Sequence, residues 1–176
     1  KNYVLELWHG PTCAFKDMAL QIMPRLFNRA LRKCGENKTA LILVATSGDT
    51  GKAALEGYKT VDGVAVKVFY PTDGVSAMQK RQMQTQDGDN LSVIGIRGNF
   101  DDAQAAVKRI FADEAFRAEA EKAGTLLSSA NSINTGRLVP QIGYYLLAAA
   151  RLADKGAFDV VVPSGNFGNI LAAYYA

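Results

Sequence analysis

The sequence predicts an α/β fold, an open and mostly parallel sheet with helices on both faces. Apolar periodicity along its 176 residues changes repeatedly between strand-like runs and helix-like spacing. The stretches between the strand-like runs are long enough for helical crossovers, the connection that parallel neighbours require. The most unusual loops lie at strand-to-helix turns, where ligands sit in such sheets.

Taken in order, residues 3–7 read as a short strand, closed by the turn His9-Gly10-Pro11-Thr12. From 14 to about 33 apolar residues recur at helical spacing, with Met18, Ile22, Leu26 and Ala30 on one side. Gly35 and Asn37 supply the stop. Residues 39–45 form a continuous apolar run of the kind a buried parallel strand shows. The turn Ser47-Gly48-Asp49-Thr50-Gly51 opens a short helix through Tyr58, and the β-branched run 64–70 is a strand broken by Pro71. A helix over 76–85 and a strand over 91–96 follow. Asp101 is expected to cap one amphipathic helix reaching about residue 123. A short strand over 126–129 precedes a long helix from about 135 to 154, with the apolar ladder Leu138, Ile142, Tyr145 and Leu146. Residues 158–162 read as a last buried strand, from which a Gly-rich loop opens the final helix.

Composition narrows the function classes. Hydrophobic residues make up 48% and charged residues 21%, ordinary values for a globular chain, and the formal net charge is +3 with no block of like charges. A nucleic-acid surface is not expected. No apolar run reaches membrane-spanning length, and Cys13 and Cys34 have neither disulfide-framework nor zinc-site spacing, so a cytoplasmic protein with reduced thiols is expected. The chain opens inside a strand-like run and closes inside an apolar stretch. Both ends therefore read as cut, and residues 1–176 as a central fragment of a catalytic domain, incomplete at both ends. Exposed edges left by truncation would favour self-association.

Four segments carry the chemistry. In Pro163-Ser164-Gly165-Asn166-Phe167-Gly168-Asn169, small residues let successive backbone N–H groups converge beside a helix N-terminus, where a phosphate fits. The alternative is a tight turn needing glycine for its dihedrals. The turn Ala45-Thr46-Ser47-Gly48-Asp49-Thr50-Gly51 could bind a carboxylate through backbone N–H groups and the Ser47 and Thr50 hydroxyls, or it could simply cap the helix. Lys16 stands at a helix start, where the dipole opposes a cation. That field and partial burial would lower its pKa toward the neutral amine that forms Schiff bases, although an exposed surface lysine would also fit the position. Ser132 and Arg137 straddle another helix start, and Arg suits bidentate phosphate binding; capping and a solvated Arg137 are the alternative.

Together these segments resemble the threonine synthase family within the pyridoxal-phosphate fold type II (tryptophan synthase beta-like) enzymes. The matching pieces are His9-Gly10-Pro11-Thr12 with Ala14-Phe15-Lys16-Asp17, the 45–51 turn, Tyr70-Pro71 with residues 76–82, Asn99-Phe100-Asp101-Asp102, residues 130–137 and residues 163–169. The resemblance implies that Lys16 forms the internal aldimine with the cofactor and shuttles protons. It implies that Ser164, Gly165, Asn166, Phe167, Gly168 and Asn169 cradle the cofactor phosphate, and that Asp49 lies near the cofactor's 3-hydroxyl. Ser47 and Thr50 would hold the amino-acid end of the substrate, with Thr50, Ser132, Arg137 and Asn166 near its phosphate. The implied reaction converts O-phospho-L-homoserine and water into L-threonine and phosphate. The resemblance also implies a smaller α/β subdomain over about 40–130, and a partner for the pyridine nitrogen from outside this segment. A related phospholyase, a threonine dehydratase or cysteine synthase, and a non-catalytic phospholigand-binding domain are the rival readings.

Overall fold

A computed structural model describes residues 1–132, 134–163, 165 and 167–176. Four strands form one all-parallel sheet: β1 (Thr39–Ala45), β2 (Val64–Pro71), β3 (Leu91–Ile96) and β4 (Thr125–Ser129), in the order β3-β2-β1-β4. The helices are α1 (Asp17–Lys33), α2 (Asp49–Tyr58), α3 (Ala77–Gln84), α4 (Phe100–Ala112), α5 (Glu114–Lys122), α6 (Thr135–Arg151) and α7 (Gly168–Tyr175), with a 3-10 turn at Ala153–Lys155.

The central strand β1 shows why its sequence is apolar throughout. Ala40, Ile42 and Val44 point into a core completed by Leu20 of α1, Ala53, Leu55 and Tyr58 of α2, and Met83 of α3. Leu43 and Ala45 point the other way, against Ala103 and Val107 of α4. Each fully buried Leu, Ile or Val contributes about 1.5–3 kcal/mol, so a strand covered on both faces gains at every position. A third cluster lies apart, where Tyr144 and Tyr145 of α6 pack on Ala172 of α7. α1 lies close against α2 because Gly57 has no side chain: a Cβ there would stand 1.9 Å from the Leu20 carbonyl oxygen.

Several expectations are corrected. Residues 3–7 and 158–162 form no strand; Val4 and Val161 are well exposed, and no strand among the described residues runs beside either segment to complete a ladder. The expected stripe Met18, Ile22, Leu26 and Ala30 faces solvent, while Ala19, Leu20, Met23 and Pro24 are buried. Asp101 caps nothing: Asn99 and Asp102 form a reciprocal capping box at the start of α4. The expected single helix to residue 123 breaks at Asp113, whose carboxylate accepts the Phe116 N–H and starts α5. In the α6 ladder, Leu146 is exposed while Tyr145 is buried.

The topology fixes where a ligand belongs. The chain runs outward from β1 through β2 to β3, then returns to place β4 on the other side of β1. The order therefore reverses between β1 and β4, and the loops beyond their carboxyl ends frame the crevice at which parallel sheets bind ligands.

Candidate active site

The β1–β4 ladder ends with Leu43 opposite Ser129. One side chain continues it: Asn131 accepts the Ala45 N–H at 3.0 Å and donates to the Ala45 carbonyl at 2.8 Å. The loop after β4 is thereby fixed to the end of β1. Beyond Ala45, the buried Thr46 hydroxyl accepts the N–H groups of Gly48 and Gly51, both at 2.9 Å, which folds the turn into α2. Gly48 has φ 147°, a backbone conformation that disfavours any side chain.

Lys16 immediately precedes α1 and no side chain caps that helix start. Its neighbour Asp17 is buried and accepts the Thr12 N–H at 2.9 Å and the Thr12 hydroxyl at 2.6 Å, holding the 9–12 turn in place. Only 16% of the Lys16 side chain is exposed, and its Nζ lies 3.5 Å from Asp49 Oδ2 and 4.4 Å from the centre of the Phe15 ring. Burial pushes the amine below the usual lysine range, the Asp49 carboxylate opposes this, and Arg137 adds to it. The shift has the expected direction, with desolvation as its main cause.

Arg137, in the first turn of α6, is 4% exposed. Its Nη1 donates to the Ala130 carbonyl at 2.5 Å, its Nε has no partner, and no carboxylate pairs with it among the described residues. Burial lowers its pKa to about 10. Asn134 caps α6 by accepting the Gly136 N–H and donating to the Ser129 carbonyl, each at 2.9 Å. A buried cation without a counter-ion is costly, and a bound anion would relieve that cost. This orphaned guanidinium, the half-buried amine and the carboxylate beside it fit an anionic cofactor and substrate.

Of the residues expected from sequence, Lys16, Asp49 and Arg137 thus come together. Ser47 is exposed and Thr50 half-buried, both where α2 begins. Ser132 is exposed and approaches the last loop: a Cβ on Gly168 would lie 3.6 Å from its Cβ. Ser164 and Asn166 lie outside the described residues. Gly165 and Phe167 are exposed, and among the described residues no side chain caps the start of α7. The Asn169 side chain is engaged by α6, donating to Gln141 Oε1 at 3.0 Å and bonding Tyr144 and Tyr145, so only its backbone is free to face a phosphate. Thr46, Asn131, Asp17 and Gln79, which hold this arrangement together, were not singled out by the sequence. Each acts on backbone or on another side chain, which local spacing does not reveal.

A parallel sheet with a switch-point crevice, a half-buried lysine of lowered basicity and an orphaned arginine are compatible with an enzyme that handles a phosphorylated aldehyde cofactor. The chain belongs to the pyridoxal-phosphate dependent enzyme family, whose family model matches residues 3–176. It is 49% identical to threonine synthase of Pseudomonas aeruginosa, across 99% of this chain and 36% of that protein. It is 45% identical to human threonine synthase-like 1, across 99% of this chain and 25% of that protein. The fold superposes on PLP-bound threonine synthase from Brucella melitensis with a TM-score of 0.79 and 43% identity, covering 97% of this chain and 36% of that one. The chain thus spans about a third of the length of the threonine synthases it resembles. Among the described residues, no helix is long and apolar enough to cross a membrane, and no group of His, Cys, Asp and Glu is arranged to hold a metal ion.

Proposed function

We propose that this chain supplies the reactive lysine and the anion-binding side chains of a threonine synthase, a carbon–oxygen lyase acting on O-phospho-L-homoserine in the last step of threonine biosynthesis. The observation that carries the proposal is Arg137, a buried guanidinium without a carboxylate partner among the described residues, close enough to lower the pKa of Lys16. Identity of 49% to a threonine synthase supports the same reading.

Bound pyridoxal phosphate supplies an electron sink that stabilises the negative charge formed when the substrate's α-proton leaves. Lys16 would hold that cofactor through its Nζ, with Asp49 near the ring hydroxyl and residues 164–169 around the phosphate. Burial lowers the basicity of Lys16 and so favours the neutral amine, which can accept a proton and return it elsewhere. Lys16 would take the α-proton and then a β-proton. Arg137, with Thr50, Ser132 and Asn166, would hold the γ-phosphate as it departs, and Ser47 with Thr50 the carboxylate end. Water then adds at the β-carbon, so the products are L-threonine and one inorganic phosphate. Residues of about 40–130, the sheet with α2–α5, would form the smaller subdomain, carrying Asp49 against Lys16. The exposed free thiols Cys13 and Cys34 suit a reducing compartment such as the cytoplasm.

The test is turnover of O-phospho-L-homoserine by the full-length protein, following both products. Equal amounts of threonine and phosphate support the proposal. Phosphate without threonine would replace it with a phospholyase, and no turnover by a cofactor-loaded protein would remove the substrate assignment.

A further inference from the structure

Asp49 has two oxygens, and both are used. Oδ2 lies 3.5 Å from the Lys16 amine, and Oδ1 accepts a hydrogen bond from Gln79 Nε2 at 2.8 Å. Gln79 stands in the first turn of α3, where its own N–H binds the Ser76 hydroxyl at 3.2 Å and its Oε1 accepts from that hydroxyl at 3.0 Å. Its carboxamide lies flat over Gly48: a Cβ at Gly48 would come within 2.4 Å of Gln79 Cδ and 2.5 Å of Nε2. Two independent features, the absent side chain at Gly48 and the cap at Ser76, therefore hold one amide group against Asp49.

We infer that Gln79 is a positioning residue for the reactive lysine, holding the Asp49 carboxylate in the rotamer that keeps its second oxygen on the Lys16 amine. A free aspartate samples other rotamers, and an exposed ion pair loses most of its strength when either partner wanders. Gln79 removes that freedom at one oxygen and so sets the charge felt at the other. Because Gln79 belongs to α3, the protonation of Lys16 depends on α3 staying seated over the start of α2. The groups facing the amine are Asp49 from α2, Arg137 from α6 and Asp17 from α1; Gln79 acts on the first of these alone. The inference rests on the proposed role of Lys16, yet its test does not require catalysis.

The experiment measures pH-dependent acylation of Lys16 in the full-length protein stripped of cofactor, quantified by peptide mapping. Gln79→Met keeps the side-chain length and removes the amide. It should raise Lys16 labelling at pH 7 by about three- to tenfold, since one pKa unit is about a factor of ten and Asp49 raises the amine's pKa. Gln79→Ala, a simple truncation, should shift it the same way. In an Asp49→Asn background, Gln79→Met should change labelling by less than about twofold, because coupled residues are non-additive. Wild-type labelling in both Gln79 variants, or an equal increase with Asp49 already replaced, would overturn the inference. Borohydride trapping of the holoenzyme separates the two ideas: a pyridoxyl group on a lysine other than Lys16 defeats the functional reading whatever Gln79 does.

Discussion

Replacing Arg137 with Met removes a charge while keeping much of the apolar volume, and its effects on stability and on binding should separate. The guanidinium is 4% exposed, donates to the Ala130 carbonyl, and leaves Nε unpartnered. Exchanging a buried ionic group for an apolar one of similar volume is neutral or stabilising by about 1–4 kcal/mol. The Ala130 carbonyl loses its donor, which costs about 1–3 kcal/mol. The two terms nearly cancel, so Arg137→Met should move the Tm of the full-length protein by no more than a few degrees. Two charge-assisted hydrogen bonds to a phosphate are worth about 1.5–3 kcal/mol each. Their loss, about 3 kcal/mol at least, corresponds to a hundredfold or greater rise in KM for O-phospho-L-homoserine, at about 1.4 kcal/mol per tenfold. Calorimetry and steady-state kinetics, with cofactor content read from the visible band, make the measurement. Substantial loss of stability with KM unchanged would show that Arg137 serves the fold, and loss of the cofactor would place its anion elsewhere. Either result refutes the reasoning.

Three further perturbations test the surrounding scaffold. Asn131→Ala removes both bonds to the Ala45 backbone and should cost about 2–4 kcal/mol in chemical denaturation, with weakened substrate binding, because it separates the β1 and β4 loops. Gly48→Ala should cost about 2–4 kcal/mol, since φ 147° strains an alanine and its Cβ collides with Gln79; a variant as stable as wild type would contradict the turn geometry. The midpoint of the pH dependence of Lys16 labelling should lie below the value of about 10.4 typical of lysine. The sign for stability follows: the folded pKa is the lower one, so the contribution of Lys16 is present above the unfolded value and lost as pH falls through the folded value.

The sheet was largely legible because its central strand is covered on both faces, which forces apolar continuity in β1, while β2 keeps a β-branched alternation. Strand propensity without a neighbouring ladder misled at residues 3–7 and 158–162, whose apolar character reflects other packing: Leu7 and Val162 lie against the α6–α7 cluster. On α1 two apolar stripes share one helix, and spacing cannot say which one meets the sheet; the glycine at 57, forty positions past Asp17, settles it by admitting Leu20. At the site, Lys16 drew notice in the sequence because a cation at a helix start conflicts with the dipole, and Arg137 because a guanidinium beside a helix start suits a phosphate. Asn131 and Gln79 gave no such signal. An amide that completes a ladder or orients a carboxylate breaks no local rule, and its partners lie 86 and 30 residues away.

The central claim is that Lys16 is the residue that carries pyridoxal phosphate. Borohydride reduction of the full-length holoenzyme, followed by peptide mapping, tests it most directly. The account predicts one pyridoxyl group, on Lys16, and none in Lys16→Ala. A pyridoxyl group on any other lysine, or retained by Lys16→Ala, would contradict it.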